Sequence, residues 1–323
     1  MSASACGHKK TPFEPGPSEP APQLACAANV SVTITGMSQT VNYAAPAVSN
    51  GTQPVSVTCT PASGTAFSIG ATTVNCLAVD AASRTASCSL TVTMTGVQLG
   101  VKKFSAVGDS LTEGQNGLPQ GLITPQFIDV PNSYPVKLLA LFNANYPSQG
   151  ISVFSHGFGG DTSGQTLDRL PESLNSDHPD TVLVLSGYNN LTTPCAASGY
   201  TDSVCDDAII AMQEGIRGII RTARAFPGVR YVFVSTLTPS RPPARLAIDD
   251  FRIRDANNHI KTVIATEGAT LVDMYPVFLG HESEYISPAD GLHLLPPGYQ
   301  AIAQTFFDKI VATVPHSSVF SVR

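Results

Sequence analysis

Tryptophan is absent from this 323-residue chain. The residue with the broadest face for stacking on sugar rings is therefore missing, although nine tyrosines remain. Charge is sparse: Asp, Glu, Lys and Arg make up 13% of the residues and leave a formal net charge of −6. With no basic stripe to reverse that balance, general attraction to nucleic acid or to anionic lipid is excluded. No apolar run approaches the roughly 18 to 20 residues that a membrane span needs. No C-x-x-C pair occurs, and no histidine stands near enough to a cysteine for a usual zinc spacing. The composition asks for no metal and no cofactor.

Ser, Thr, Ala, Gly and Pro fill the space left by charge, a balance common in secreted bacterial proteins. The seven cysteines point the same way. Cys26, Cys59, Cys76 and Cys88 lie in the first hundred residues, Cys195 and Cys205 flank one short loop, and Cys6 is left over. Six that can pair plus one near the start suit an oxidising compartment. The opening "MSASACGHKK" resembles the tail of a bacterial lipoprotein cleavage site, which would make Cys6 the lipidated residue of a precursor. The alternative is a chance cysteine in a tail. Residues 7–23, "GHKKTPFEPGPSEPAPQ", are Pro-rich and polar and read as an extended linker with nothing to bury. Residues 1–23 are thus expected to be a tether, and the protein to be secreted or held at a cell surface.

Residues 24–98 read as all-β. "VSVTITG", "PVSVTCT", "TTVNCLAVD" and "SCSLTVTMTG" alternate apolar and polar positions between Gly, Pro and Asn turns. Within them "VTCTPASGTAFSIGATTVNCLAVDAASRTASCSLTVT" resembles the HYR (hyalin repeat) module, an immunoglobulin-like sandwich. Four cysteines allow three connectivities; the pairing expected is Cys59–Cys76 across one hairpin and Cys26–Cys88 tying the ends. This module is assigned no chemistry. Any contact with a surface or polysaccharide would fall to it.

Residues 99–323 change rhythm. Short runs apolar on both faces ("KKFSAVGDS", "ISVFSHG", "DTVLVLSGYNN", "VRYVFVSTLTP", "ATLVDMYPVF") alternate with helical stretches such as "SYPVKLLALFNANYP", "DDAIIAMQEGIRGIIRTARAF", residues 246–266 and "PGYQAIAQTFFDKIVATV". This is the pattern of an α/β domain: a parallel sheet with helices on both faces, three layers α/β/α. Reactive groups in such sheets gather past the carboxyl ends of the strands.

Those ends carry "GDSLTEG", "SHGFGGDTSGQT" and "LSGYNNL", and near the C-terminus comes "SPADGLHLLPPGY". In this order the four strings resemble the blocks of the SGNH, or GDSL, hydrolase superfamily. No G-x-S-x-G elbow is present, so the ordinary α/β-hydrolase pattern does not apply. The resemblance implies a serine esterase. Ser110 would be the nucleophile, His293 the base, and Asp290, three residues before it, the group that orients the imidazole. The backbone N–H of Ser110, the backbone N–H of Gly160 and the side-chain amide of Asn189 would form the oxyanion hole. Gly160 is chosen for its place two residues before Thr162, and is expected where a side chain would crowd the substrate carbonyl. The third block departs from G-x-N-D: Asn190 replaces the acidic residue.

Around these blocks, His156 is expected to line the groove or cap a turn, Asp109 to be structural and Glu113 to mark a helix start. Cys195–Cys205 is expected to pin the loop after Asn189. The segment "QNGLPQGLITPQFIDVPNSYP" supplies an apolar rim of Leu118, Leu122, Ile123, Phe127 and Ile128. It favours short- to medium-chain acyl or aryl esters. A carbohydrate acetylesterase and a lipase or lysophospholipase remain as alternatives on the same fold. A surface-binding module carrying a degenerate hydrolase domain remains as an alternative of another class.

Overall fold

The computed structural model describes residues 19–116, 128–147, 149–192, 194–195, 202–244 and 246–319. Most of the expected tether, with Cys6, and the rim residues Leu118, Leu122, Ile123 and Phe127 lie outside them. The chain divides into two compact units. The first holds the described residues of 19–34, 38–96 and 319; the second holds the described residues within 35–37 and 97–318.

The first unit is all-β. Strands β1 (Gln23–Ala25) and β4 (Ala47–Ser49) pair antiparallel, as do β3 (Ser38–Val41) and β6 (Thr65–Ser68). A larger sheet joins β5 (Ser56–Thr60), β7 (Gly70–Val79) and β8 (Thr85–Leu99) antiparallel, and β2 (Val30–Ile34) pairs with β8 in parallel. In β7 exposed Ala71, Thr73, Asn75 and Leu77 alternate with buried or half-buried neighbours. That alternation directs Val74 into a core with Ile34, Phe67, Leu90, Val92 and Met94. Cys59 stands opposite Cys76, and Cys76 opposite Cys88, in one row across the sheet. The bonds are Cys59–Cys76 and Cys26–Cys88. The sulfurs of Cys26, Cys76 and Cys88, though within 4.8 Å of one another, are thus covalently occupied.

The second unit is built on five parallel strands: β9 (Lys103–Gly108), β10 (Ser152–Gly157), β11 (Thr181–Leu185), β12 (Tyr231–Ser235) and β13 (Thr270–Val272). Their order across the sheet is β10-β9-β11-β12-β13. The central strand β11, TVLVL, is buried at every position, as expected for a strand covered on both faces. β10 is an edge strand, and none of its residues is fully buried. Helices α2 (Tyr134–Asn145) and α8 (Pro296–Thr313) pack together. Helices α3 (Ser163–Asp177), α5 (Asp202–Ala225) and α6 (Asp250–Glu267) pack as a second group. The strand expected through Phe278 stops at Val272, because Pro276 has no N–H for a ladder and instead sits in the first turn of α7 (Tyr275–Phe278).

From β9 the chain steps to one side, to β10, and then back across to β11. The crevice beyond the carboxyl ends of the strands opens where the order reverses in this way. Gly108 is paired in register with both Gly157 and Leu185, so β9, β10 and β11 end at one level beneath that crevice.

Candidate active site

Three of the sequence blocks meet above these ends. Ser110 opens the one-turn helix α1 (Ser110–Glu113) two residues after β9. Asp109 caps that helix: its Oδ1 accepts the Leu111 N–H at 3.0 Å. Burial pushes the Asp109 carboxyl up to about 6, against the opposing effects of this hydrogen bond and of nearby His293.

His293 arrives from the segment after β13. Short bridges pair Leu294 with Ile286 and with Asn116, just past α1, and Ser287 N–H donates to His293 O at 2.9 Å. The Leu246 N–H donates to Asp290 O and the Arg241 N–H to Gly291 O, which holds the turn from its other side. His293 Nε2 then lies 2.9 Å from Ser110 Oγ, and His293 Nδ1 lies 2.7 Å from Asp290 Oδ2. The second carboxylate oxygen of Asp290 accepts the N–H groups of Leu292 at 2.9 Å and of His293 at 3.0 Å. Burial raises the Asp290 carboxyl, but the hydrogen bond from His293, the backbone N–H groups and the nearby imidazole outweigh it. The group therefore sits below the ordinary carboxylate range. A carboxylate so held stays ionised and keeps the Nδ1 proton in place, leaving Nε2 to accept from Ser110.

Gly160 follows β10 by three residues, in a turn closed by Asp161 N–H to Phe158 O at 3.1 Å. It is required there for its backbone. Its φ is +88°, and a Cβ would meet nothing within 4 Å, so crowding among the described residues is not the reason. Glu113 turns out to hold this turn. It ends α1, and its Oε2 accepts the Gly159 N–H at 2.9 Å. Asn189, in the short helix α4 (Tyr188–Leu191), donates one amide hydrogen to Asp161 O at 3.0 Å and has a second to offer. Asn190 Oδ1 accepts the Ser163 N–H at 2.9 Å. The N–H groups of Ser110 and Gly160 have no acceptor among the described residues. Ser110, His293 and Asp290 are thus joined by hydrogen bonds, and the turn that carries Gly160 is tied to α1 through Glu113 and to α4 through Asn189.

His156 does not line it as expected. Its Nε2 is 2.7 Å from Asp177 Oδ2, tying β10 to α3. Cys195 and Cys205 are bonded to each other and buried. No helix among the described residues is long and apolar enough to cross a membrane.

Residues 106–301 match the GDSL-like Lipase/Acylhydrolase family, and residues 19–94 match the HYR domain. The spore germination lipase LipC of Bacillus licheniformis is 25% identical over 210 residues, 62% of this chain and 93% of that protein. An acetylxylan esterase of Geobacillus stearothermophilus is 29% identical over 90 residues, 28% of this chain and 40% of that protein. A gut microbial diltiazem-metabolizing enzyme superposes with a TM-score of 0.52 at 16% identity, over 66% of this chain and 48% of that one. That likeness is one of fold. The family match spans well over half of the residues: the chain belongs to the GDSL-like lipase/acylhydrolase family, and is a hydrolase preceded by an HYR domain.

Proposed function

We propose that the protein is an extracytoplasmic serine esterase cleaving carboxylic esters through Ser110, His293 and Asp290. The observation that carries this reading is the unbroken chain from Ser110 Oγ to His293 Nε2 and from His293 Nδ1 to Asp290. Ser110 Oγ attacks the ester carbonyl and its proton passes to His293 Nε2. The imidazolium is balanced by Asp290. The tetrahedral oxyanion takes hydrogen bonds from the Ser110 N–H, the Gly160 N–H and the free amide hydrogen of Asn189. Collapse breaks the ester C–O bond, His293 returns the proton to the departing alcohol, and an acyl-Ser110 remains. Water, deprotonated by His293, repeats the attack and releases the acid.

Short- to medium-chain acyl or aryl esters are the substrate class. Ile128 and Val130, 41% and 55% exposed, lie on the segment that returns to pair with Gln115 beside α1 and give that side an apolar rim. The lipase relative is matched along almost its whole length. Acetylated carbohydrate is the second reading, favoured by the acetylxylan esterase match over part of that protein. Three disulfides and the HYR domain support action outside the cytoplasm, with the HYR domain meeting a surface or polysaccharide.

A fluorophosphonate probe should label the wild type and not Ser110→Ala. A p-nitrophenyl ester series from acetate upward should show turnover that peaks at short to medium chains. Failure to label or to hydrolyse any member would refute the esterase reading. Release of acetate from acetylated xylan with p-nitrophenyl butyrate untouched would replace it with the second.

A further inference from the structure

One side chain grips both ends of the turn that carries Gly160. Phe158 and Asp161 are the first and last residues of that turn. Arg169 is the seventh residue of α3, whose start is fixed by a reciprocal cap between Thr162 and Gln165. Long side chains on a helix lie back toward its N-terminus, and Arg169 reaches the turn before the helix in this way. Its guanidinium pairs with the Asp161 carboxylate, whose side chain is only 5% exposed. Its Cζ also lies 4.2 Å from the centroid of the Phe158 ring. A planar cation can pair through its edge and stack through its face at once, which an ammonium cannot.

Resting on the esterase reading above, we infer that Arg169 is a positioning residue for the oxyanion pocket, aiming the Gly160 N–H by clamping Phe158 and Asp161 on either side of it. A donor aimed at the oxyanion acts more on the transition state than on the bound ester, so loosening it lowers kcat and spares KM. Misplacement of a reacting geometry by about 1 Å costs on the order of 100-fold. Loss of the clamp is therefore expected to lower kcat by roughly 10- to 100-fold.

Arg169→Met would leave Asp161 buried with an unpaired charge and is prone to unfold. Asp161→Asn breaks the same pair without stranding a buried charge, and Arg169→Lys keeps the charge while losing the stacked fork. Both should remain folded by circular dichroism. With p-nitrophenyl acetate each should lose kcat by that factor while KM stays near the wild-type value. Phenylboronic acid, whose adduct with a serine hydroxyl is tetrahedral and anionic, should bind more weakly in proportion. Wild-type kcat in both variants overturns the proposal, as does a loss expressed in KM with boronate affinity unchanged. An inactive wild type whose Ser110 takes no fluorophosphonate would instead bring down the esterase reading, and this inference with it.

Discussion

Replacing Asp109 by Asn should remove one limb of the pH dependence of stability. Asp109 is 1% exposed, and its second carboxylate oxygen has no hydrogen-bond partner among the described residues. Burial lifts the group from 3.8 to about 6 in the folded protein. The unfolded chain returns it to water and to the ordinary value. The folded state therefore binds this proton more tightly. The associated stability is fully present below 3.8 and is lost as pH rises toward about 6. The gap of roughly two units, at about 1.4 kcal/mol per unit, amounts to about 3 kcal/mol. The substituted amide keeps an oxygen for the Leu111 N–H, so the cap on α1 survives, and it cannot ionise. The assay is urea unfolding of both proteins at pH 4 and pH 7.5. Asp290 and every other titrating group are common to the two, and their contributions cancel in the double difference. The wild type should lose roughly 2 to 3 kcal/mol more than Asp109→Asn between the two pH values. Parallel losses in the two proteins would refute the reasoning, because they would mean that Asp109 keeps its unfolded proton affinity beside Ser110.

Asp290→Asn should cut kcat by about a thousandfold to ten-thousandfold with KM little changed, since an amide facing Nδ1 favours the tautomer whose proton points at Ser110; steady-state kinetics on p-nitrophenyl acetate, with circular dichroism to show retained folding, checks this. The same variant should also lose the part of wild-type stability that appears above the unfolded carboxylate value and vanishes as pH falls through the depressed folded value of Asp290. Gly108→Ala should destabilise the second unit by about 3 kcal/mol or more, because the new Cβ would lie 1.9 Å from the backbone oxygen of Leu185, which an adjacent strand holds in place; thermal unfolding measures it, and a wild-type midpoint would mean the strands can part there at little cost.

What could be read from the sequence and what could not divide along one physical line. Ser110, Asn189, Asp290 and His293 stand out because the blocks that carry them resemble those of a known hydrolase superfamily, and a three-residue spacing is enough to bring Asp290 to His293. The parallel sheet was legible for a similar reason: β9 and β11 are short, apolar on both faces and followed by helices. The supports of the site were not legible, since each joins residues that only the fold brings together. Glu113 holds Gly159 from 46 positions away, and His156 finds Asp177 on the neighbouring helix. Gly108 looks like part of a serine motif, yet its need for hydrogen in place of a side chain comes from the carbonyl of Leu185, on the adjacent strand. β13 ends early because Pro276 serves a helix better than a ladder. Asn190 shows the same division at one position. The sequence shows there only the loss of a charge. In the fold the position faces a backbone N–H, that of Ser163, and what a neutral donor asks of its partner is an oxygen. Asp and Asn both provide one. The block tolerates the exchange because charge was never the property that its fourth position supplies to the turn.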